Sequence, residues 1–422
     1  MSLSIFRILD IDCGPMLLPY FNLVEATEIR LVCRSLYELI KKHQWDDKDA
    51  QVKHLLPWSR AFPQALSFRA TMEFQFKSFR EFELLKNCKF IDLCFNVSYL
   101  RDSDMQYLQN VQYLDLGNTN NNSIGDAGLK ALTKIKTLRF KSHGVTDEGL
   151  RHLKGIHELS MENDLQITDA GISSLTSIYS LSIGPSASVS LTDQAFLNIG
   201  AHLTVLSLSQ LHNVVITDEA LIASVALEQL YIDDCSKVVI TNRGLAALSR
   251  VSVIRLTDLD GLVCDDEGFI QLKPLHLHLC CNENMKITDV GISAMAGLQS
   301  LVISNCLGLQ ISDEGLKSLD GIQSLDLSWN SHANIHITIM GLVTLIGIKF
   351  LDLSDTGVYF NRKDVDFLQD SHINIDFLEY EDFIDEALMD EDTELAYTEF
   401  MNENTYEFEV ANLMTAENDS IS

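Results

Sequence analysis

A short motif that returns about every 24 residues limits this chain to one kind of architecture. The segment Ile-Thr-Asp-Ala-Gly-Ile at 167–172 recurs almost unchanged at 287–292, and close variants begin at Ile216 and Ile311. Weaker copies extend the series, and the units begin at residues 100, 124, 145, 167, 191, 216, 240, 264, 287, 311, 337 and 360. With a degenerate copy near Phe76, the chain holds about 13 units. Such a repeat predicts a stack of similar supersecondary units.

Each unit changes its hydrophobic period partway along. The first apolar residues are spaced as on a helix, and the last two alternate as on a strand. In the unit that begins at 287, these residues are Ile287, Ile292, Met295, Leu298, Leu301 and Ile303. Thr288 or Asp289 is a suitable N-cap for the short helix. Each unit therefore predicts a helix, a strand and a turn, and stacking places the strands side by side in one parallel sheet.

The turn after the strand carries the pattern of a known family. Cys235 and Cys306 stand three residues beyond the second apolar strand residue, and Asn96, Asn282 and Asn330 hold that place in other units. A buried asparagine there can bond to loop backbone, whereas a cysteine packs as a small apolar side chain. Over residues 76–378 the chain resembles the cysteine-containing class of leucine-rich repeats. The resemblance implies an α/β leucine-rich-repeat solenoid, a horseshoe with a parallel sheet on its concave face and short helices outside.

The charge of the chain argues against two classes of partner. The 422 residues include 31 Lys and Arg against 60 Asp and Glu, which gives a net charge of −29. Binding to nucleic acid or to an anionic membrane requires a basic surface, so neither partner is expected. The 46% of apolar residues exclude a wholly disordered chain. Residues 379–422 form an acidic tail with 15 acidic side chains and no Lys or Arg.

Catalysis and metal binding are not expected either. The chain has no Walker loop, no Gly-x-Ser-x-Gly, no His-Glu-x-x-His and no dinucleotide fingerprint. His276, His278, Cys280 and Cys281 have zinc-ligand chemistry, but residues i and i+4 of a strand are about 13 Å apart, too far for one ion. We therefore predict a protein that is not an enzyme and has no cofactor. Nine cysteines without a disulfide spacing, and no leader or long apolar run, favour a cytoplasmic or nuclear location.

Residues 1–45 differ from the repeats, because they show two short amphipathic helical patterns without strand alternation. Ile8-Leu9, the run Met16–Phe21 and the run Arg30–Ile40, which contains Leu-Val-Cys-Arg, resemble an F-box. Asp10 stands where that family has its first proline, and Leu36 replaces its usual tryptophan.

An F-box implies docking on a Skp-family adaptor and, through it, on a cullin–RING ubiquitin ligase. By analogy, apolar side chains of this segment enter a groove of the adaptor. The candidate adaptor-binding residues are Leu9, Leu17, Leu18, Phe21, Leu31, Val32 and Leu36. The resemblance thus implies a substrate-recognition subunit, monomeric outside the complex, which holds a protein substrate on its concave face. The alternative is a non-catalytic scaffold or inhibitor whose N-terminal helices only cap the solenoid.

The remaining segments complete the predicted organisation. Residues 46–75 are too apolar for a flexible linker, and we expect them to pack under the first repeat, with Leu66 and Phe68 in a capping strand. On the concave face, Tyr and Arg are the types most often found as interface hot spots. The candidate substrate-binding residues are Tyr113, Arg139, Tyr231, Arg255 and His278.

The acidic tail allows two interpretations. It is either a disordered, solubilising segment or a segment that docks on a basic partner or on the concave cations Arg139, Lys141 and Arg255.

Overall fold

The structure, a computed structural model, places one strand of each repeat in a single parallel sheet. It describes residues 18, 21–29, 34–71, 74, 76, 79–93, 100–117, 124–295, 297–345 and 347–358. The acidic tail, most of the F-box-like run Met16–Phe21, residues 30–33 and the last predicted repeat lie outside these residues.

The main sheet has 14 strands, and each strand pairs in parallel with the one from the preceding unit. Its strands are β1 (Gln51–Val52), β2 (Ser67–Ala70), β3 (Phe90–Asp92), β4 (Tyr113–Asp115), β5 (Thr137–Thr146), β6 (Glu158–Gln166), β7 (Ser180–Ile183), β8 (Val205–Ser209), β9 (Gln229–Asp233), β11 (Val253–Thr257), β13 (His276–Cys280), β15 (Ser300–Ser304), β17 (Ser324–Asp326) and β19 (Phe350–Asp352). Fourteen strands spaced by about 4.8 Å span roughly 60 Å.

Two smaller parallel sheets lie just before the helices. They consist of β10 (Val239–Thr241) with β12 (Gly261–Val263), and of β14 (Ile287–Thr288), β16 (Leu309–Ser312) and β18 (Asn334–His336). The predicted α/β solenoid is therefore confirmed.

Short helices occupy the other side of the repeats. They are α4 (Asp126–Ala131), α5 (Asp147–Arg151), α6 (Asp169–Ile172), α7 (Gln194–Leu197), α8 (Asp218–Ala223), α9 (Asn242–Ala247), α10 (Asp266–Phe269), α11 (Asp289–Ala294), α12 (Asp313–Leu316) and α13 (Ile339–Leu342). The first two repeats use 3₁₀ helices instead, at Phe79–Leu85 and Asp102–Leu108. Between helices and sheet, one continuous core runs from Val52 to Leu353.

A ladder of threonine and aspartate joins each helix start to the next. Thr241 is the N-cap of α9, and its side chain accepts a hydrogen bond from the backbone N–H of Arg243. Asp218, one unit earlier, accepts from the Thr241 backbone N–H at 2.8 Å and from the Thr241 hydroxyl at 2.6 Å. Equivalent pairs join Asp126 to Thr146, Asp147 to Thr168, Asp169 to Thr192, Asp193 to Thr217, Asp266 to Thr288, Asp289 to Ser312 and Asp313 to Thr338.

The same ladder explains the glycine of the motif. A Cβ at Gly244 would collide with Oδ1 of Asp218, and a Cβ at Gly315 would lie 2.5 Å from Oδ1 of Asp289. In these units the glycine leaves room for the aspartate oxygen, so that a side chain there would require a local shift. Two units hold an alanine at this position, Ala195 and Ala220, and still keep their aspartate–threonine pairs.

The loops after the strands follow the predicted cysteine and asparagine pattern. Asn282 accepts a hydrogen bond from the backbone N–H of Leu259 at 3.1 Å and donates to the carbonyl of Leu256 at 2.8 Å. Cys235 and Cys306 are buried, with 0% and 1% of their surface exposed. Their thiols contact the equivalent carbonyls, with Sγ of Cys235 3.8 Å from the carbonyl oxygen of Leu208 and Sγ of Cys306 3.4 Å from that of Leu279. Asn96 lies outside the described residues.

Two strands are longer than the repeat predicts. β5 has 10 residues and β6 has 9, and they pair over almost their whole length. The repeats that start at 124 and 145 are the two shortest, so the chain lacks the residues for a turn and runs straight from the main sheet to the next helix. The register shifts between His143 and Val145, where Gly144 has a φ of 80°.

The N-terminal helices form a second, smaller core. These are α1 (Leu23–Ile29) and α2 (Arg34–Lys42), and they pack with α3 (Leu55–Ala61). The residues of this core are Leu18, Leu23, Ala26, Ile40, Trp45, Ala61, Phe62 and Ala65. Trp58 packs against both cores. In the described part of the chain, no helix has both the length and the apolar character needed to cross a membrane.

Candidate functional site: the concave face of the sheet

The exposed face of the main sheet presents its side chains in straight rows. Because side chains alternate along a strand, the residue between the two core positions of each strand points away from the core. The parallel registers align these residues into a central row. The central row consists of Arg69, Asp92, Asp115, Arg139, Ser160, Ser182, Ser207, Tyr231, Arg255, His278, Val302, Asp326 and Asp352.

Three of the five predicted substrate-binding residues come together in this row. Tyr231 pairs with Arg255 across β9 and β11, and Arg255 pairs with His278 across β11 and β13. All three side chains are half-buried. An aromatic ring, a guanidinium group and an imidazole therefore form one patch at the middle of the face. Tyrosine and arginine are frequent in interface hot spots.

The other two predicted residues lie nearer the N-terminal end. Tyr113 is on β4 in the neighbouring row and stacks on Phe90, with ring centroids 4.3 Å apart. Arg139 on β5 is exposed and pairs with Asp115 in the central row. The five residues thus occupy two separate patches of one face.

Buried charge distinguishes the N-terminal patch. Arg69 forms an ion pair with Asp92 at 3.0 Å, and Asp92 is 5% exposed. Burial raises the pKa of the neighbouring Asp115 carboxyl; the charge of Asp92 raises it further, and Arg139 and Arg69 oppose the shift. The carboxylate of Asp115 accepts a hydrogen bond from the backbone N–H of Gly117 at 2.8 Å, and a partner that covers this patch and adds a positive charge or a second donor would stabilise its ionised form.

His278 and Cys280 are in contact at the central patch, but their protonation states do not suit nucleophilic chemistry. Nε2 of His278 lies 3.0 Å from Sγ of Cys280. Burial, with help from the charge of Arg255, lowers the pKa of His278 to about 4. Burial raises the pKa of Cys280 to about 12. At neutral pH the pair is therefore a neutral imidazole and a thiol, whereas a nucleophilic cysteine is a thiolate.

The neighbourhood of these residues does not assemble a metal-ligand cluster. No group of three or more His, Cys, Asp or Glu side chains able to hold an ion occurs among the described residues. His276 and Cys280 are at the two ends of the same strand, as the sequence analysis anticipated.

A polar stretch of small side chains, which the sequence analysis did not single out, separates the two patches. Ser160, Ser182 and Ser207 follow one another in the central row. Ser180 and Ser209 lie beside them. Serines leave the sheet surface shallow, so an extended partner can approach the sheet closely here. The signal was present in the sequence as serine at the central concave position of three consecutive repeats.

The three concave cations differ in their exposure and in whether they form an ion pair. Lys141 forms an ion pair with Glu162 at 3.1 Å, and its side chain is 18% exposed. Arg255 is half-buried beside His278. Of the three cations proposed as receivers for the acidic tail, only Arg139 is exposed.

Most of the predicted adaptor-binding residues cannot be placed. Leu9, Leu17, Leu31 and Val32 lie outside the described residues, as does the side chain of Leu36 on α2. Leu18 is 4% exposed and packs in the small N-terminal core, which differs from the exposed position expected of it. Phe21 is half-buried against the same core. Among the described side chains of α1, the exposed apolar one is Val24, at 65%.

Comparison with known proteins gives the fold and no closer relation. The family model described as Leucine Rich repeat matches residues 107–133. A leucine-rich-repeat protein of Leptospira interrogans is 17% identical, with a TM-score of 0.52 over 81% of this chain and 85% of its own. An internalin, inlF, of Listeria monocytogenes is also 17% identical, with a TM-score of 0.50 over 79% of this chain and 95% of its own. No curated protein matches the sequence.

The concave face is an extended, solvent-accessible surface of the kind that repeat proteins use to bind other proteins. One strand per unit, the cysteine and asparagine loops and the two structural similarities all agree with the repeat pattern in the sequence. The chain therefore has the leucine-rich-repeat fold, an α/β solenoid with one parallel strand per unit.

Proposed function

We propose that the chain is the substrate-recognition subunit of an SCF-type cullin–RING ubiquitin ligase. Its N-terminal helices dock on a Skp-family adaptor, and its concave face holds a protein substrate. The chain performs no bond chemistry itself. It raises the effective concentration of a substrate lysine near the charged ubiquitin-conjugating enzyme, as any tether of two binding modules does.

The observation that carries the proposal is the separation of the two cores. If α1 and α2 only capped the solenoid, their apolar side chains would close the open end of the repeat core. Instead Val52, Leu55 and Phe68 close that end of the repeat core. The two-residue strand β1 pairs with β2 and forms the edge of the main sheet there. The apolar residues of α1 and α2 pack in a core of their own. A small helical unit that the solenoid does not need as a cap is consistent with a docking module.

The test is binding of the full chain to a purified Skp-family adaptor by calorimetry. We expect affinity in the micromolar range or tighter, lost in the double variant Leu31→Asp/Leu36→Asp. The matched control is Leu197→Asp, which places the same change on the exposed side of α7, where 51% of the leucine surface is accessible. This control should bind as the unmodified chain does, and circular dichroism should show that all three proteins are folded.

If the unmodified chain is folded and does not bind the adaptor, the proposal is wrong. The remaining candidate would then be a non-catalytic scaffold or inhibitor that uses the concave face alone. Equal loss of binding in the Leu197→Asp control would show that the effect is not specific to the N-terminal segment.

A further inference from the structure

One edge of the solenoid is basic in a chain that is otherwise strongly acidic. The turns that lead from the helices into β3, β5 and β6 carry five exposed lysines, which we name the lysine edge. The lysine edge consists of Lys86, Lys89, Lys134, Lys136 and Lys154. Residues 84–157 hold ten Lys and Arg against seven Asp and Glu, a net charge of +3 in a chain of −29.

Backbone hydrogen bonds hold these turns in line. The N–H of Gln112 donates to the carbonyl of Lys89 at 2.7 Å, and the N–H of Lys136 donates to the carbonyl of Gln112 at 2.7 Å. The N–H of His157 then donates to the carbonyl of Lys136 at 2.8 Å. The four turns are therefore neighbours, about 4.8 Å apart along the edge.

A side-chain amide connects the outer part of the same turns. The amide nitrogen of Asn110 donates to the carbonyl of Lys86 at 3.1 Å, and its oxygen accepts from Nζ of Lys134 at 2.8 Å. The lysines are thus held on one surface by contacts with neutral groups.

The lysine edge has no intramolecular counter-charge in the described part of the chain. No carboxylate lies within ion-pair distance of its five ammonium groups there. Lys136 donates to the carbonyl of Gly155 at 2.9 Å, which is a neutral partner. Glu158, the nearest acid after His157, accepts from the hydroxyl of Tyr179 at 2.6 Å. Like charges held close together repel, so a bound polyanion relieves a cost that the fold maintains.

The chain itself carries a polyanion within reach. The acidic tail at 379–422 has 15 carboxylates and no Lys or Arg. Eight strand spacings separate β19 from β6, which is roughly 40 Å. The 44 residues of the tail span up to about 145 Å when extended, so its distal part can reach the edge from the end of the last predicted repeat. A tethered segment also acts at an effective concentration in the millimolar range.

We propose that the acidic tail docks on the lysine edge of its own chain. The concave cations are weaker receivers, because Lys141 already has a carboxylate partner and Arg255 is half-buried, which leaves Arg139 as a single exposed cation against five at the edge. Docking at the edge leaves the concave face open to a partner. It also means that any external acidic segment must displace the tail before it reaches these lysines.

Zero-length cross-linking with a carbodiimide tests the contact in the full chain. The reagent joins a carboxylate to an amine only where the two are already in contact. We expect mass spectrometry to find most cross-links of the tail on the five lysines of the edge. A mixture of unlabelled and 15N-labelled chains distinguishes links within one chain from links between two copies. The yield should fall severalfold when salt rises from about 0.05 M to about 0.5 M, because exposed ion pairs are screened.

Matched variants make the result specific. The fivefold variant K86Q/K89Q/K134Q/K136Q/K154Q removes the edge amines. If the tail docks on the edge alone, its cross-links then disappear instead of moving to other lysines. The control K273Q/K349Q changes two exposed lysines in equivalent turns of later repeats, and it should leave the cross-links unchanged.

Each other outcome overturns the proposal. Tail cross-links spread evenly over all lysines would show that no docking site exists. Links in the fivefold variant that move to Lys141 or to other concave lysines would place the tail on the concave face instead. Links found only between copies would show an intermolecular contact.

Discussion

At the scale of single residues, the Thr-Asp-x-Gly segment decides how each repeat meets the next. Threonine caps its own helix, and the aspartate beside it reaches the threonine of the following unit. In most units a glycine leaves room beside that aspartate, and the units with Ala195 and Ala220 keep the bond without it. In one unit Asn242 replaces the aspartate. Its amide donates to the carboxylate of Asp265 and accepts from the backbone N–H of the same residue. The motif is therefore an inter-repeat joint as well as a helix start.

Removal of one aspartate of the ladder should destabilise the solenoid. Asp218→Ala leaves the backbone N–H and the hydroxyl of Thr241 without their acceptor. Loss of hydrogen bonds to a charged acceptor costs about 1–3 kcal/mol. Chemical denaturation of the full chain measures the change in the free energy of unfolding.

The neighbouring residue supplies the control for this prediction. Glu219 forms an exposed ion pair with Arg243 at 2.6 Å, and an exposed pair contributes roughly 0–1 kcal/mol. Glu219→Ala should therefore change the free energy of unfolding much less than Asp218→Ala. Equal effects of the two substitutions would show that the ladder bonds do not contribute to stability beyond an ordinary surface contact.

At the scale of elements, the N-terminal helices and the repeats are stabilised by different cores. Trp45 is 2% exposed, and its indole N–H donates to the carbonyl of Ile40 at 2.9 Å. Its ring also packs edge-on against Phe62, with centroids 5.9 Å apart. Trp58 is the described side chain that contacts both cores, so the two share a boundary without being one unit.

Truncation of Trp45 should loosen the N-terminal helices and spare the repeats. Trp45→Ala removes a large buried ring, a change that costs about 3–5 kcal/mol in a protein core. We expect limited proteolysis to cleave the variant within residues 1–66 while the main thermal transition shifts little. Phe196→Ala, in the repeat core, is the comparison and should lower the main transition instead. An equal shift of the main transition in both variants would contradict the division into two cores.

At the scale of the whole molecule, charge acts against the fold. The acidic tail carries 15 of the 29 net negative charges, and the remaining −14 is spread over residues 1–378, whose described ion pairs are few and mostly exposed. Self-repulsion of this kind destabilises the compact state. The lysine edge differs from the rest of the molecule, because its surface is positively charged in a chain of net negative charge.

Added salt should therefore stabilise the protein. Sodium chloride raised from about 0.01 M to about 0.15 M shortens the Debye length from roughly 30 Å to roughly 8 Å. We expect the midpoint of thermal unfolding, measured by calorimetry, to rise by a few degrees because the repulsion is screened. Potassium chloride should give the same shift, which excludes a specific ion. A midpoint that falls with salt would mean that attractive ion pairs dominate over net repulsion.

The sequence by itself determined the local pattern of this protein. The repeat period, one strand per unit, the threonine N-cap and the asparagine and cysteine loops all follow from residues close together in the chain. Alternation within a strand also placed Tyr231, Arg255 and His278 on the concave face. Each of these inferences needs only the spacing within one unit, which backbone geometry fixes.

Only the tertiary structure decided how the units meet. Asp218 and Thr241 are 23 residues apart, and nothing in either unit alone indicates that they bond. The same holds for the ion pair of Lys141 with Glu162, which leaves that cation less available to a partner. The separation of the two cores and the alignment of the lysine edge also depend on stacking. These contacts join residues that the chain brings together only when neighbouring repeats pack in register, so the local spacing of residues does not specify them.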